Sequence, residues 1–337
     1  MAMTVVTVGP QLEQEGEMAM KTNLKPMIFI LLIFGMLVIA KPLMAVEGGV
    51  THYVPGAMAT MIDLAPTDPG WVLLPAYMHY QGEASASATI PTAGLVTAGL
   101  DATSDAVLMG GFYTLPKQVF GAFYTVGAFL PYVWMDVEAR VDSALGSVQR
   151  SESNAGLGDI TVIPALLAWE SDFWQYTAAL TIYAPTGDFE VGSLANTGLN
   201  YWTFDPTVGV SYNNEKNGFN WAIFGGLSLS TENSDTNYQT GALFHLDGSV
   251  QQLLPTKLGI FGIGAQAFYL EQIEGDSGEG ALLGDFKGRT TGIGPVLSYL
   301  VPGVNTNFMA ELRWLPELDV KNRMEGDYIW LKLAWQF

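Results

Sequence analysis

Hydrophobic and polar residues alternate with a period of two along much of the chain, and its last eleven residues show the pattern most clearly. Successive side chains of a strand point to opposite faces. One face of this predicted strand is wholly apolar and carries Ile329, Leu331, Leu333, Trp335 and Phe337. Membrane barrels place aromatic residues at the lipid–water interface. The pattern is therefore typical of the closing strand of a bacterial outer-membrane barrel.

Similar runs divide the chain from residue 71 onward into twelve predicted strands, joined alternately by tight turns and longer polar loops. The predicted strands are 71–82, 105–115, 119–142, 155–169, 173–185, 200–212, 219–230, 237–254, 258–273, 286–301, 307–318 and 327–337. The predicted long loops are about 83–104, 143–153, 186–198, 231–236, 274–285 and 319–326. Short turns on one side and long loops on the other are typical of outer-membrane barrels, with the short turns in the periplasm. The fold class predicted is all-β, a transmembrane antiparallel up-and-down β-barrel of about twelve strands.

The polar faces of the predicted strands assign charged residues to the lumen, because a charge facing lipid would cost about 2–4 kcal/mol at the bilayer midplane. The lumen-facing candidates are Asp136, Glu138, Arg140, His245, Asp247, Lys287, Arg289, Glu311 and Arg313. An unpaired charge in a confined site is costly, so we expect these charges to pair internally. A soluble two-sheet protein could show the same alternation, with its apolar face in the core.

The amino-terminal region predicts export. Residues 20–45 combine lysines with the apolar run 27–40 and a cleavage position after Ala45, which is the pattern of a secretory signal peptide. A membrane anchor is the alternative, but the run is shorter than the ~20 residues of a spanning helix. Residues 1–19 fit no signal, and we interpret Met20 as the preferred start. The export signal favours the membrane barrel over the soluble protein.

Residues 46–68, between this leader (1–45) and the predicted barrel (69–337), lack clean alternation and contain several prolines. We interpret them as a non-strand segment that either plugs the lumen or lies in the periplasm.

Composition excludes several function classes. The net charge of −19 leaves no basic patch for phosphates, which argues against nucleic acid as a partner. The chain has no cysteine, and its three histidines are scattered, so neither a metal site nor a cofactor is predicted. Residues 275–278 (GDSG) match the surroundings of a trypsin-like nucleophile but lack a recognisable histidine setting. We therefore predict no catalytic site.

A series of motifs resembles a known family. They are GLGDI (156–160), APTG (184–187), GLNYWTFDP (198–206), NYQTG (237–241) and GDSG (275–278), preceded by EGG (47–49) and YVPG (53–56). The chain is similar to the family named for a MetA-pathway of phenol degradation, a group of transporter-like outer-membrane proteins. The resemblance covers nearly all of 46–337 but departs from the family at 83–104. It implies an outer-membrane channel for passive uptake of small hydrophobic or aromatic compounds.

Location and partners follow from this interpretation. We expect a protein of the bacterial outer membrane that contacts lipid and lipopolysaccharide, a small apolar ligand, and the barrel-assembly machinery. Trp335 and Phe337 are the expected assembly signal. The alternative function is a structural or non-transport barrel without enzymatic activity.

Overall fold

The computed structural model describes residues 50–85, 89–143, 146–284, 287–303 and 306–337. The predicted leader, 1–45, lies outside these residues. In the part of the chain that is described, no helix has the length and apolar character needed to cross a membrane. The strands, in chain order, are β1 (Gly70–Leu73), β2 (Ala76–Glu83), β3 (Thr89–Thr92), β4 (Leu95–Thr114), β5 (Phe123–Ser143), β6 (Gly146–Leu157), β7 (Ile160–Ser171), β8 (Trp174–Ala184), β9 (Thr203–Asn214), β10 (Phe219–Ser230), β11 (Glu232–Asn233), β12 (Tyr238–Gln239), β13 (Leu243–Thr256), β14 (Gly259–Gln272), β15 (Arg289–Val301), β16 (Asn307–Lys321) and β17 (Glu325–Gln336).

These strands form a closed antiparallel barrel whose wall has twelve strands within the described residues. β1 and β2 both pair with β4 and β17 and together make one wall strand, while β6 and β7 both pair with β5 and make another. The wall then runs through β8, β9, β10 and β13 to β17, which closes it against β2. β3 pairs with β4, and β11 pairs with β12, as short hairpins at the loop end. The predicted barrel and its strand number are confirmed.

The closing strand β17 has the two faces that its alternation predicts. Ile329 and Leu331 are 37% and 41% exposed on the outside, whereas Trp330 between them is 3% exposed inside the barrel. At its end, the Phe337 N–H donates to the Trp71 carbonyl at 2.9 Å, and the Trp71 N–H donates to the Phe337 carbonyl at 2.9 Å. The last residue thus joins the first wall strand through its backbone.

Several predicted boundaries are wrong at the loop end. In the predicted loop 143–153, residue 143 belongs to β5 and residues 146–153 belong to β6, and β4 begins at Leu95, inside the predicted loop 83–104. The predicted strand 237–254 is interrupted between β12 and β13. A strand that rises beyond the membrane meets water on its outer face, so a polar composition does not end it. Polar composition alone therefore misplaces the loops of this barrel.

Residues 50–69 pass through the barrel interior and form one short 3-10 helix, Met61–Asp63. The Thr60 N–H donates to the Asp63 carboxylate at 3.2 Å, which closes the start of this turn. Gly56 has a positive φ of 76°, and a Cβ there would lie 2.3 Å from Leu315 Cδ1. A glycine at this position lets the segment turn while it contacts the wall closely. We call residues 50–69 the lumen segment.

Candidate functional site: the barrel lumen

A buried ion cluster fastens the lumen segment to the wall. Arg313 on β16 is fully buried, and it donates to Glu311 at 2.6 Å and to the Asp63 carboxylate at 2.6 Å. Lys332 on β17 donates to the other oxygen of Asp63 at 2.5 Å. Arg313 also donates to the Gly56 carbonyl at 2.8 Å. Charge pairing and hydrogen bonding together offset the desolvation free energy of these buried charged groups.

Electrostatics keeps Asp63 ionised. Burial alone would raise its pKa, but the neighbouring cations Arg313 and Lys332, with hydrogen bonds from Lys332 and Thr60, hold the pKa of Asp63 below its usual value. The carboxylate therefore carries a full negative charge at neutral pH. The lumen segment supplies this anion, and the wall supplies both cations.

A second contact joins Tyr53 of the lumen segment to residues of β9 and β13. The Tyr53 ring stacks on His245 with ring centres 3.6 Å apart, and its hydroxyl donates to Asp247. His245 Nε2 lies 3.1 Å from both carboxylate oxygens of Asp205 on β9. All these side chains are almost wholly buried. Tyr53 thus connects the lumen segment to a network that crosses three wall strands.

A third contact involves His52 at the loop end. His52 Nε2 lies 2.8 Å from Asp159 Oδ2, and Nδ1 lies 2.8 Å from Thr203 Oγ1. A threonine, a histidine and a carboxylate in this order resemble a catalytic triad. Thr203 is 1% exposed, and its hydroxyl is also 2.9 Å from Ser230 Oγ. A substrate could not reach that oxygen, so we interpret the contact as structural.

The lumen segment does not fill the barrel interior, and wall residues that are largely apolar face it across a hollow space. A cavity of about 380 Å³ lies there, lined largely by β2, β4, β5, β7 and β8. A second cavity of about 160 Å³ lies toward the loop end. The two share the wall residues Met78, Ser104 and Met135, the lumen-segment residues Val50, Thr51 and Val54, and the loop residues Asn196 and Leu199, so they adjoin at one level of the barrel. From Phe129 to Val137 on β5, their combined length is roughly 26 Å along the strand.

We call the larger cavity the turn-side chamber and the smaller one the loop-side chamber. Inward residues of the turn-side chamber include Ala76, Ala106, Leu108, Val133 and Met135. By contrast, the inward face of β13 presents His245, Asp247, Ser249 and Gln251. The lumen segment, with His52 and Asp63, borders the turn-side chamber on one side together with Lys332 and Asp159 of the wall, and largely apolar wall residues border it on the other.

The nine lumen candidates separate into three groups. His245, Asp247, Glu311 and Arg313 are at most 1% exposed and lie inside the barrel. Asp136, Glu138 and Arg140 lie on the exposed outer face of β5, where Asp136 and Glu138 accept hydrogen bonds from Ser153 and Gln149 on β6. Lys287 and Arg289 lie at the loop-end rim, and Arg289 donates to the exposed Asp319 at 2.7 Å.

The predicted inward direction is therefore wrong for Asp136, Glu138, Arg140 and Arg289, and for Lys287 it stays a prediction. β5 has 21 residues, about twice the ~9–11 that cross a bilayer, so charges near its loop end can face water on the outer side. In the same region, Val137 and Ala139 pack inward. Charges were assigned to the lumen because placing a charge against lipid costs free energy, and this cost does not apply beyond the membrane.

Sequence reasoning missed Asp63 and Lys332 as lumen residues. Lys332 shares the inward face of β17 with Trp330, so the alternation could have identified it. Asp63 belongs to a segment without alternation and gave no such signal.

An antiparallel barrel with an apolar outer face and a polar, occupied lumen defines a bacterial outer-membrane β-barrel protein. A model of the family described as "Putative MetA-pathway of phenol degradation" matches residues 84–333. Because this match covers most of the chain, the protein belongs to that family, as its motifs predict.

One solved structure supports the fold. The COG4313 outer membrane channel from Pseudomonas putida F1 has a TM-score of 0.57 at 15% sequence identity, over 85% of this chain and 100% of that one. The beta domain of the Bordetella autotransporter BrkA has a TM-score of 0.44 at 11% identity, over 80% of this chain and 100% of that one. No curated protein matches the sequence. At 15% identity, the likeness to the COG4313 channel concerns the fold alone.

Proposed function

We propose that the protein is an outer-membrane channel for passive uptake of small hydrophobic compounds. The observation that carries this proposal is the apolar track formed by the two chambers, which meet at Met78, Ser104 and Met135. A solute that enters between the loops can keep contact with apolar side chains through the level of the membrane. Burial of apolar surface stabilises such a solute by roughly 25 cal/mol per Å².

The division of the lumen supports this selectivity. The charged groups Asp63 and Lys332, which line the turn-side chamber, pair with each other, and Asp63 also pairs with Arg313. They therefore offer little to a hydrated ion, which would also have to lose water beside Met78 and Leu108. The proposed channel conducts ions poorly and passes apolar molecules.

The test is to obstruct the track where the chambers meet. Met135→Trp should fill this level and reduce uptake of a small aromatic hydrocarbon into vesicles by about tenfold, without loss of the folded barrel. Met109→Trp is the matched control, since Met109 is 58% exposed on the outer face. Trp is tolerated at a lipid-facing position.

Equal uptake by Met135→Trp and the unchanged protein would refute the track as the route. If neither protein exceeded protein-free vesicles, the non-transport barrel would replace the channel proposal.

A further inference from the structure

The turn-side chamber is large enough for a molecule of two fused rings. Its volume is about 380 Å³, whereas engineered apolar cavities of about 150 Å³ bind benzene. Much of its lining is apolar, as at Leu108, Phe112, Val133 and Ile163. Apolar walls hold a hydrocarbon skeleton but do not distinguish it from an oxygenated one of the same size. That distinction requires polar groups that reach the chamber.

Three hydroxyl groups line this chamber from two neighbouring strands. They belong to Thr161 on β7 and to Thr181 and Tyr183 on β8. Thr161 lies directly opposite Tyr183 in the strand register, and Thr181 lies two residues from Tyr183 on the same face. Such neighbours on one face of a sheet are roughly 5–7 Å apart. The three residues therefore form one patch, which we call the hydroxyl patch.

The hydroxyl patch has unused hydrogen-bonding capacity. Among the described residues, no group forms a hydrogen bond with the hydroxyl of Thr161, Thr181 or Tyr183. All three side chains are half-buried, and their oxygens are accessible from the chamber. Thr177, on the same face of β8, differs because its unpartnered hydroxyl has almost no accessible surface. A ligand oxygen can thus reach the hydroxyl patch but not the Thr177 hydroxyl.

The lumen segment holds Tyr183 in place. The Tyr183 ring stacks on His52, with ring centres 5.0 Å apart and planes 11° from parallel. His52 is itself fixed by its 2.8 Å contacts with Asp159 and Thr203. The tyrosine hydroxyl is therefore positioned before a ligand arrives, which lowers the entropy cost of binding.

The charges that line the chamber favour a neutral ligand, because they are already paired. Asp63 pairs with Lys332. Asp159 contacts His52. An ionised ligand would lose its hydration without gaining an unpaired charge. A hydroxyl or carbonyl oxygen needs only the neutral groups of the hydroxyl patch.

We propose that the turn-side chamber binds a neutral molecule of about two rings that carries one hydroxyl or carbonyl oxygen, and that this oxygen contacts the hydroxyl patch. The inference rests on the proposed channel function, since it names the substrate class of the same track. Threonine and tyrosine hydroxyls both donate and accept hydrogen bonds. A ligand hydroxyl can therefore bond two of them at once, whereas a hydrocarbon bonds none.

The test measures binding to the full-length folded protein in micelles, with protein-free micelles as the reference. The probes are 2-naphthol, 2-methylnaphthalene and 2-naphthoate at neutral pH, which share one ring skeleton. Tyr183→Phe should weaken 2-naphthol binding by roughly threefold to tenfold, the loss expected for one neutral hydrogen bond. Adding Thr161→Val should weaken it further. Binding of 2-methylnaphthalene should be unchanged, because both substitutions keep the shape of the side chain.

Thr177→Val is the matched control, because it removes a hydroxyl that a ligand does not reach. It should bind every probe as the unchanged protein does. Ala179 lines the chamber between Thr177 and Thr181, and Ala179→Phe should reduce binding of 2-naphthol and 2-methylnaphthalene together. Heat-modifiable migration on a gel verifies that each variant remains a closed barrel.

Four outcomes would overturn the proposal: an equal effect of Tyr183→Phe on both neutral probes, unchanged 2-naphthol binding in the double variant, 2-naphthoate binding tighter than 2-naphthol, or no binding of any probe. In the last case, uptake that Met135→Trp still reduces would leave the channel function standing. Selective 2-naphthol binding without any uptake would instead support the chamber site and refute the channel.

Discussion

Arg313 Nη2 lies 2.6 Å from Asp63 Oδ2 and so joins two residues that are 250 positions apart. The lumen segment has no strand pairing with the wall, so side-chain contacts such as this one determine where it lies. Both partners are buried, with 0% and 8% of their side chains exposed. Removing one partner of a buried pair is far more costly than removing an exposed one, because the other charge stays buried.

The first prediction concerns conductance. Full-length protein in planar bilayers should show little or no ion conductance, and Asp63→Asn should raise it. The substitution removes the anion between Arg313 and Lys332, at a cost of about 3–5 kcal/mol, which favours departure of the lumen segment. Deletion of 46–68 gives the upper limit of the increase.

The control for this prediction is Asp319→Asn. Asp319 pairs with Arg289, but its side chain is 59% exposed, and exposed pairs contribute about 0–1 kcal/mol. Its conductance should match that of the unchanged protein. Porin-like conductance of the full-length protein would contradict a closed lumen. If Asp63→Asn had the same conductance as the unchanged protein, the Asp63 contact would not be what retains the lumen segment.

The barrel could be predicted because outward-facing residues within the membrane are apolar and alternate with inward-facing ones. Strands such as β17 and β16 alternate strictly, since lipid excludes charge from one face and the occupied lumen accepts it on the other. Leu312 and Trp314 are accordingly exposed while Arg313 between them is buried. Where this solvent difference exists, the sequence determines which way each side chain points.

The alternation does not give the direction of a side chain where both faces of a strand lie in polar surroundings, or where the chain forms no strand. At the loop end of β5, water surrounds the outer face, so Asp136 lies outside and Val137 inside. The lumen segment contacts the wall through long-range pairs such as Asp63–Lys332, and no local pattern encodes such a pair. The apolar chambers likewise depend on which half of the lumen the segment occupies.

The second prediction compares two tyrosine–aspartate hydrogen bonds. Tyr53 donates to Asp247 inside the lumen, and Tyr77 donates to Asp105 on the outer face at 2.5 Å. Tyr53→Phe keeps the ring on His245 but leaves a buried carboxylate without this donor, which should lower the free energy of unfolding by about 1–3 kcal/mol.

Tyr77→Phe is the control and should change the free energy of unfolding by less than about 0.5 kcal/mol, because Tyr77 is 38% exposed. Reversible urea unfolding in lipid vesicles measures both. A loss in Tyr77→Phe equal to that in Tyr53→Phe would argue against the lumen contact as a stabilising one.

The third prediction separates two roles of the terminal residue. Deleting Phe337 removes an aromatic side chain and also two backbone hydrogen bonds to Trp71. Phe337→Ala removes the side chain alone. If the aromatic ring is an assembly signal, both variants should reduce the amount of heat-modifiable protein in the outer-membrane fraction by several fold.

Normal levels of Phe337→Ala beside reduced levels of the deletion would assign the effect to backbone closure of β17 on β1. Normal levels of both would refute the assembly role of this terminus. Recovery of the unchanged protein from the soluble periplasm would contradict its outer-membrane location.

The last prediction concerns the loop between β8 and β9, whose two ends a single carboxylate, Asp159, holds together. Asp159 accepts hydrogen bonds from the backbone N–H groups of Thr186, Gly187 and Leu199 at 2.7–2.9 Å, and His52 Nε2 lies 2.8 Å away. A carboxylate can accept all four, whereas an amide offers a single acceptor oxygen and adds two donors. Asp159→Asn should therefore loosen both the loop and the start of the lumen segment.

Limited proteolysis with a glutamate-specific protease measures this, because Glu190 is an exposed residue of the same loop. We expect cleavage after Glu190 to become roughly tenfold faster in Asp159→Asn, since loss of a buried charged acceptor costs on the order of 1.5–3 kcal/mol per hydrogen bond. Asp188→Asn, an exposed substitution in the same loop, should cleave at the original rate. Equal rates in all three proteins would show that the loop keeps its conformation without the Asp159 carboxylate.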